Sequence, residues 1–224
     1  MTMTLLQLCD EALIAAGTAD TQTTYYGNAD KQAKKAVAAA NEAVAQLRAA
    51  YNWEKLMTTK SITLTSSQYY AIADDVEFIQ PNSFVNTTSG VKYKSVSPER
   101  AAEIESGAEA ADHDELFIRD GSFKFMATVT SGETVEFKYQ LNTAIVNSGG
   151  DKIKRFTADD NTVLVPDELV ILLTAIILRD NEGSDSSVLR ERFSRLFKRF
   201  TGADNYRTKL ELFTNRRSSI TWRR

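Results

Sequence analysis

The sequence predicts an α+β protein: a discontinuous helical bundle built from both chain ends, a central β-rich insertion, and an extended C-terminal arm. Three observations carry this. Apolar residues recur at helical spacing over the first ~50 residues and again after Pro166. Between them the period falls to 2, with Gly-containing turns. The final residues, Asn215 to Arg224, have no period at all.

The first helix opens at Thr4, with Gln7 at the spacing of a capping box. Leu5, Leu6, Leu8, Cys9, Ala12, Leu13 and Ala16 follow helical spacing, and Gly17 supplies the stop. A polar loop with Tyr25, Tyr26, Gly27 and Asn28 leads to a second helix, from about Asn28–Asp30 to Tyr51. Its stripe of Ala33, Ala36, Val37, Ala40, Val44, Leu47 and Tyr51 is rich in alanine, so a neighbouring helix can approach closely. Trp53 and Leu56 close the segment with bulk.

At Ser61 the pattern turns to alternation. Ile62 and Leu64 mark one strand, Tyr69–Ile72 another, and Phe84-Val85 with Val91–Tyr93 flank a Ser89-Gly90 turn. Ser97-Pro98-Glu99 starts a short helix to about Glu105, with Pro at the first helical position. Leu116 to Asn142 reads as a meander: Asp120-Gly121 and Ser131-Gly132 separate Leu116–Arg119, Phe123–Phe125 and Val135–Tyr139. Asn147–Gly150 is expected to end the β region as a loop. After Pro166, Leu169 to Leu178 is apolar nearly all round, the mark of a buried helix, and Gly183 breaks it. From about Asp185 a further helix carries Leu189, Phe193, Leu196, Phe197 and Phe200 on one face. Asn205–Phe213 is moderately helical. The expected division is a bundle of residues 1–58 and 160–213, an insertion of 59–159, and an arm of 214–224.

Composition narrows the function. The chain has 224 residues, one cysteine and one histidine, so an internal disulfide framework is excluded and a nucleophile–base pair is hard to build. The ten-residue apolar block is half of what a helical bilayer span needs, roughly 20, and the N-terminus lacks the basic region of a secretory signal. These features predict a soluble protein.

No constellation of catalytic chemistry emerges. His113 lies in Asp112-His-Asp-Glu115, but adjacent loop residues rarely converge on one ion and no second His or Cys has ligand spacing; the expectation is a solvated acidic loop. Cys9 on an inward stripe reads as a small hydrophobe. Asp74-Asp75 and Asp159-Asp160 read as ordinary loop acids without a cleft. There is no phosphate loop or dinucleotide fingerprint. No catalytic residue, metal or cofactor is assigned, and the chain is expected not to be an enzyme.

The charge is unevenly distributed. The net formal charge of -3 divides into 11 basic and 3 acidic residues from Ser186 onward, and 16 basic and 27 acidic residues before it. An acidic body with a basic end signals an interaction arm. Arg192, Arg195 and Arg199, at i, i+3 and i+7, fall on one helix face, with Arg190 and Lys198 close by. That face is either simply solvated, or it meets nucleic-acid phosphates or an acidic protein surface. The acidic bulk of the chain and the lack of a stacking platform favour the protein. In the arm, Ile220 and Trp222 at alternate positions are bracketed by Arg216, Arg217, Arg223 and Arg224, a set suited to docking as an extended peptide.

The order of pieces carries a resemblance. Thr4-Leu-Leu-Gln-Leu-Cys9, the aromatic closure Tyr51-Asn-Trp53, the Leu116–Gly121 and Phe123–Phe125 hairpin, Glu136-Phe-Lys-Tyr139, and Phe156-Thr-Ala-Asp-Asp160 before the buried helix recur in this order. The chain resembles, over roughly residues 4–200, the head-to-tail connector (adaptor) proteins of tailed bacteriophages, including the tail tubular proteins of short-tailed phages. The resemblance implies a structural virion protein, made in the host cytoplasm and placed at the head–tail junction. It implies a homo-oligomeric ring, typically of 12 copies, between the portal protein and downstream tail proteins. Genomic DNA would cross that ring during ejection without specific binding, and no membrane would be involved. The alternative is a nucleic-acid-binding phage accessory protein using the C-terminal basic helix; a cell-wall hydrolase is a third reading and has no supporting pair of acids.

Overall fold

The computed structural model describes residues 2–18, 21–72, 75–119 and 122–202. Asp74, the Asp120-Gly121 turn, the expected helix over 205–213, and the arm with Arg216, Arg217, Ile220, Trp222, Arg223 and Arg224 lie outside the described residues. The fold is mixed α+β, and it divides into two compact units. One unit takes residues up to Trp53 and from Thr143 on; the other runs from Glu54 to Asn142.

In the first unit, α1 (Leu5–Ala16) begins with the reciprocal Thr4/Gln7 capping box and ends at Gly17, whose φ of 85° is left-handed. α2 (Lys31–Ala50) is capped by Asp30, whose carboxylate accepts from the amides of Gln32 and Ala33. α4 (Asp167–Asn181) packs against both α1 and α2 and against α5 (Ser187–Thr201). Leu169, Val170, Leu172, Leu173, Ile176 and Ile177 are all buried, so α4 is apolar nearly all round because helices cover it on several sides. On α2 the residues that face this core are Ala33, Ala36, Ala39, Ala40 and Ala43 with Val44 and Leu47, and the small side chains permit the close approach.

A three-stranded antiparallel sheet belongs to the same unit: β9 (Ile145–Val146) lies between β10 (Lys152–Ile153) and β11 (Thr162–Val163). This corrects the expectation that Asn147–Gly150 ends the β structure, and it moves the division between units from 159 to 142. The physical reason is the mooring of this segment: the amides of Leu5 and Leu6 donate to the carbonyls of Asn161 and Asp159, and the Phe156 amide donates to Asn41 Oδ1 at 3.0 Å. The bonds from Leu5 and Leu6 satisfy free amides of the first turn of α1, which every helix must place somewhere.

The second unit contains two sheets. In one, β8 (Thr134–Leu141) is central, with β1 (Met57–Thr63) on one side and β3 (Val76–Ile79) and β4 (Val85–Asn86) on the other. The other has the order β2 (Tyr69–Ala71), β7 (Ser122–Phe125), β6 (Glu115–Arg119), β5 (Lys94–Ser95), with a parallel β5–β6 pair. α3 (Pro98–Glu105) joins β5 to β6 and is capped by Ser97. Phe84, Phe123, Phe125, Val135, Phe137, Leu116 and Leu64 form the core of this unit. Phe84 stacks on Phe137 at 4.8 Å and meets Phe123 edge-on at 4.9 Å.

The expected meander over Leu116–Asn142 is corrected here. β6 and β7 pair as a hairpin, but β8 pairs with β1 rather than β7. The Ser131-Gly132 turn is instead held to the end of β1: the Gly132 amide donates to the Leu64 carbonyl, and the Leu64 amide to the Glu133 carbonyl. Burial of Val135, Phe137 and Tyr139 is served equally by either pairing, because alternation fixes the face and not the neighbour.

Candidate functional site

The arginine stripe rests on how α5 is anchored. At its start, Ser186 Oγ donates to Asp180 Oδ1 at 2.6 Å, and Arg190 reaches both Ser186 Oγ and Asp180 Oδ2, the latter at 2.5 Å. Arg190 thus ties α5 to the end of α4. At its other end, Phe193 and Phe197 stack at 5.8 Å, and Phe197 meets Trp53 and Tyr51 edge-on at 6.1 and 6.5 Å. Trp53 is held in turn by its Nε1, which donates to the Leu47 carbonyl at 2.6 Å. The inward face of α5 is therefore fixed by Leu189, Phe193 and Phe197, and its outward face is a consequence.

On that outward face stand Val188, Arg192, Arg195 and Arg199, all exposed. At about 100° per residue the four lie within about 60° of arc. Arg195 pairs with Glu191 at 3.6 Å, an exposed i,i+4 contact worth only about 0.3–0.5 kcal/mol. The Arg199 guanidinium lies 5.8 Å from the Phe200 ring centroid. Arg192 and Lys198 have no ion-pair partner among the described residues. Val188 is 74% exposed at one end of the stripe, an apolar contact point beside the charges. The structure thus brings Arg192, Arg195 and Arg199 together; the remaining predicted residues, in the arm, are outside the described residues.

A second feature is a groove of about 640 Å³ on the helical unit. α2 lines it with Val37, which the sequence placed on the inward stripe, and with Ala38, Asn41, Glu42 and Ala45, and Tyr25 and Tyr26 line it alongside. Lys34, Lys154 and Arg155 line it too. Nothing in the sequence pattern foretold it: Lys154 and Arg155 stand next to the Phe156–Asn41 bond, which spans 115 positions. The single local sign was the Tyr25-Tyr26-Gly27-Asn28 loop.

The acids noted in the sequence are placed as structural ties. Asp159 accepts from Thr24 Oγ1 at 2.5 Å and from the amides of Tyr25 and Tyr26, the latter at 2.7 Å. Burial pushes its carboxyl up, but the bonds from Thr24, Tyr26 and Tyr25 outweigh this and hold it below the ordinary range. Around His113, the Lys94 ammonium bonds Asp114 at 2.7 Å and holds that carboxyl low. Glu115 is lowered chiefly by the Asp112 amide, against an upward push from burial, with Arg100 adding to the lowering. Arg100 also pairs with Glu109. No group of three or more His, Cys, Asp or Glu placed to hold a metal occurs among the described residues. Burial, with Asp10 and Asp159 nearby, pushes the Cys9 thiol up to about 12, so it stays protonated and apolar in character. No helix among the described residues is long and apolar enough to cross a membrane.

No protein-family model and no curated protein matches the chain.

Proposed function

We propose that the chain is a non-enzymatic structural protein of a phage virion: a head-to-tail adaptor that forms a ring between portal and tail and lets DNA pass. The observation that carries this reading is the organisation of the chain. A helical unit assembled from residues before 54 and after 142 is interrupted by one β-rich unit, the arrangement that the resemblance to connector proteins implies. In this reading the helices of both chain ends form one discontinuous bundle that sets the ring, and the β-rich unit offers a lateral or tail-facing surface.

The charge distribution supports the same function. A channel crossed by DNA should not bind phosphates, and the acidic balance before Ser186 disfavours it. The basic end then serves protein contacts. Arg192, Arg195 and Arg199 with Val188 form a rigid face for an acidic surface of the portal or a neighbouring subunit. Arg216, Arg217, Ile220, Trp222, Arg223 and Arg224 would dock as an extended arm. Deleting residues 214–224 is expected to weaken capture on immobilised portal rings at least tenfold, measured by surface plasmon resonance. Undiminished capture would remove the arm from the docking surface.

A further inference from the structure

The groove on α2 is a different surface from α5, and its lining states what would fill it. We propose that it is a docking site for an extended acidic peptide segment of a partner protein. Lys34, Lys154 and Arg155 line the groove, and none of their side chains has an ion-pair or hydrogen-bond partner among the described residues. Three unneutralised cations lining one concavity attract carboxylates. The opposite charge is present as well: Glu42 lines the groove, with Oε1 accepting from Gln46 at 3.0 Å. A carboxylate there suits a ligand that also brings N–H donors. A peptide backbone does so, whereas a DNA backbone carries phosphate acceptors and no N–H donor to meet Glu42.

Shape restricts the occupant further. From Lys34 to Ala45 the groove runs eleven positions along α2, about 16 Å at 1.5 Å per residue. An extended strand of five residues covers about the same length. Ala38 and Ala45 are both exposed, so the floor is shallow and lets a backbone come close. Tyr26 is 45% exposed and gives the segment a flat apolar side. The chain's own end is excluded as occupant by its sign, since residues 203–224 carry six basic and two acidic side chains.

The probe is a fluorescein-labelled peptide, Gly-Glu-Ala-Asp-Ala-Glu, titrated with the full chain at 50 mM salt and followed by fluorescence polarisation. Saturable binding is expected, weakening as salt rises. Reversing the rim with Lys34→Glu, Lys154→Glu and Arg155→Glu together is expected to weaken it at least tenfold, and Ala45→Trp, which fills the floor, to weaken it by a similar factor. A control reverses three exposed lysines of the β-rich unit, Lys55→Glu, Lys92→Glu and Lys138→Glu; it makes the same change of net charge and should leave binding within twofold. The proposal is overturned if the wild-type chain shows no saturable binding. It is equally overturned if the control weakens binding as much as the rim variant, or if the rim variant or Ala45→Trp binds as the wild type does. Because no portal enters this assay, its failure leaves the ring function standing, and the reverse also holds.

Discussion

Asp159 shows how a residue that resembles chemistry can serve architecture. Its carboxylate gathers the Thr24 hydroxyl and two successive backbone amides, so the 24–26 loop is fastened to the segment before α4. Tyr25, buried in that loop, donates to Asp10 at 2.6 Å; burial and this bond both push its phenol up, so it remains a donor. Replacing Asp159 by Asn retains one acceptor oxygen but sets an amide donor against donors. A loss of about 1–3 kcal/mol is expected in urea unfolding at pH 7. The folded carboxyl lies below its unfolded value of about 3.9. Its contribution is therefore complete above that value and is lost as pH falls through the lowered folded one. The gap between wild type and Asp159→Asn should accordingly narrow in acid. From the sequence Asp159 was legible only as one of two adjacent loop acids. Its partners are 133 to 135 positions away, and no local pattern encodes a cap across that distance.

Among the elements, helices were the most legible, because their signals are local. The capping box at Thr4, the stop at Gly17, the Ser97-Pro98 start and the all-round apolar run of α4 each lie within a few residues of the feature they specify. Strand faces were legible and strand partners were not. Val135, Phe137 and Tyr139 announced a buried face, but β8 found β1, some 75 positions earlier. The two-residue strands β9, β10 and β11 are too short to show a period, and they are fixed by pairing alone. For α5, the Leu/Phe stripe predicted the inward face and hence the outward arginines. Phe193 is buried and stacks on Phe197, which links α5 to Tyr51 and Trp53. Phe193→Ala should cost about 3–5 kcal/mol. Chemical unfolding monitored by fluorescence of Trp53, one of the two tryptophans, would check this. A cost under 1 kcal/mol would mean that α5 is not held by this aromatic contact.

For the whole molecule, the sequence pattern anticipated a β-rich insertion within helices, while its boundaries rest on long-range hydrogen bonds that no local pattern carries. The arginine stripe was readable from spacing because one helix carries it. The groove was not, because its rim comes from two segments about 120 positions apart. Charge is the property that connects scale to function: the acidic balance belongs to the residues before Ser186, and α5 begins the basic end. In the proposed ring, such a division would repel a passing polyanion and hold a protein partner. The proposed adaptor role is tested most directly by negative-stain electron microscopy of the purified chain mixed with phage portal rings. The account predicts an added ring of density on one end of the portal, with the rotational symmetry of a multi-copy adaptor. Bare portal rings beside a persistently monomeric chain would contradict it.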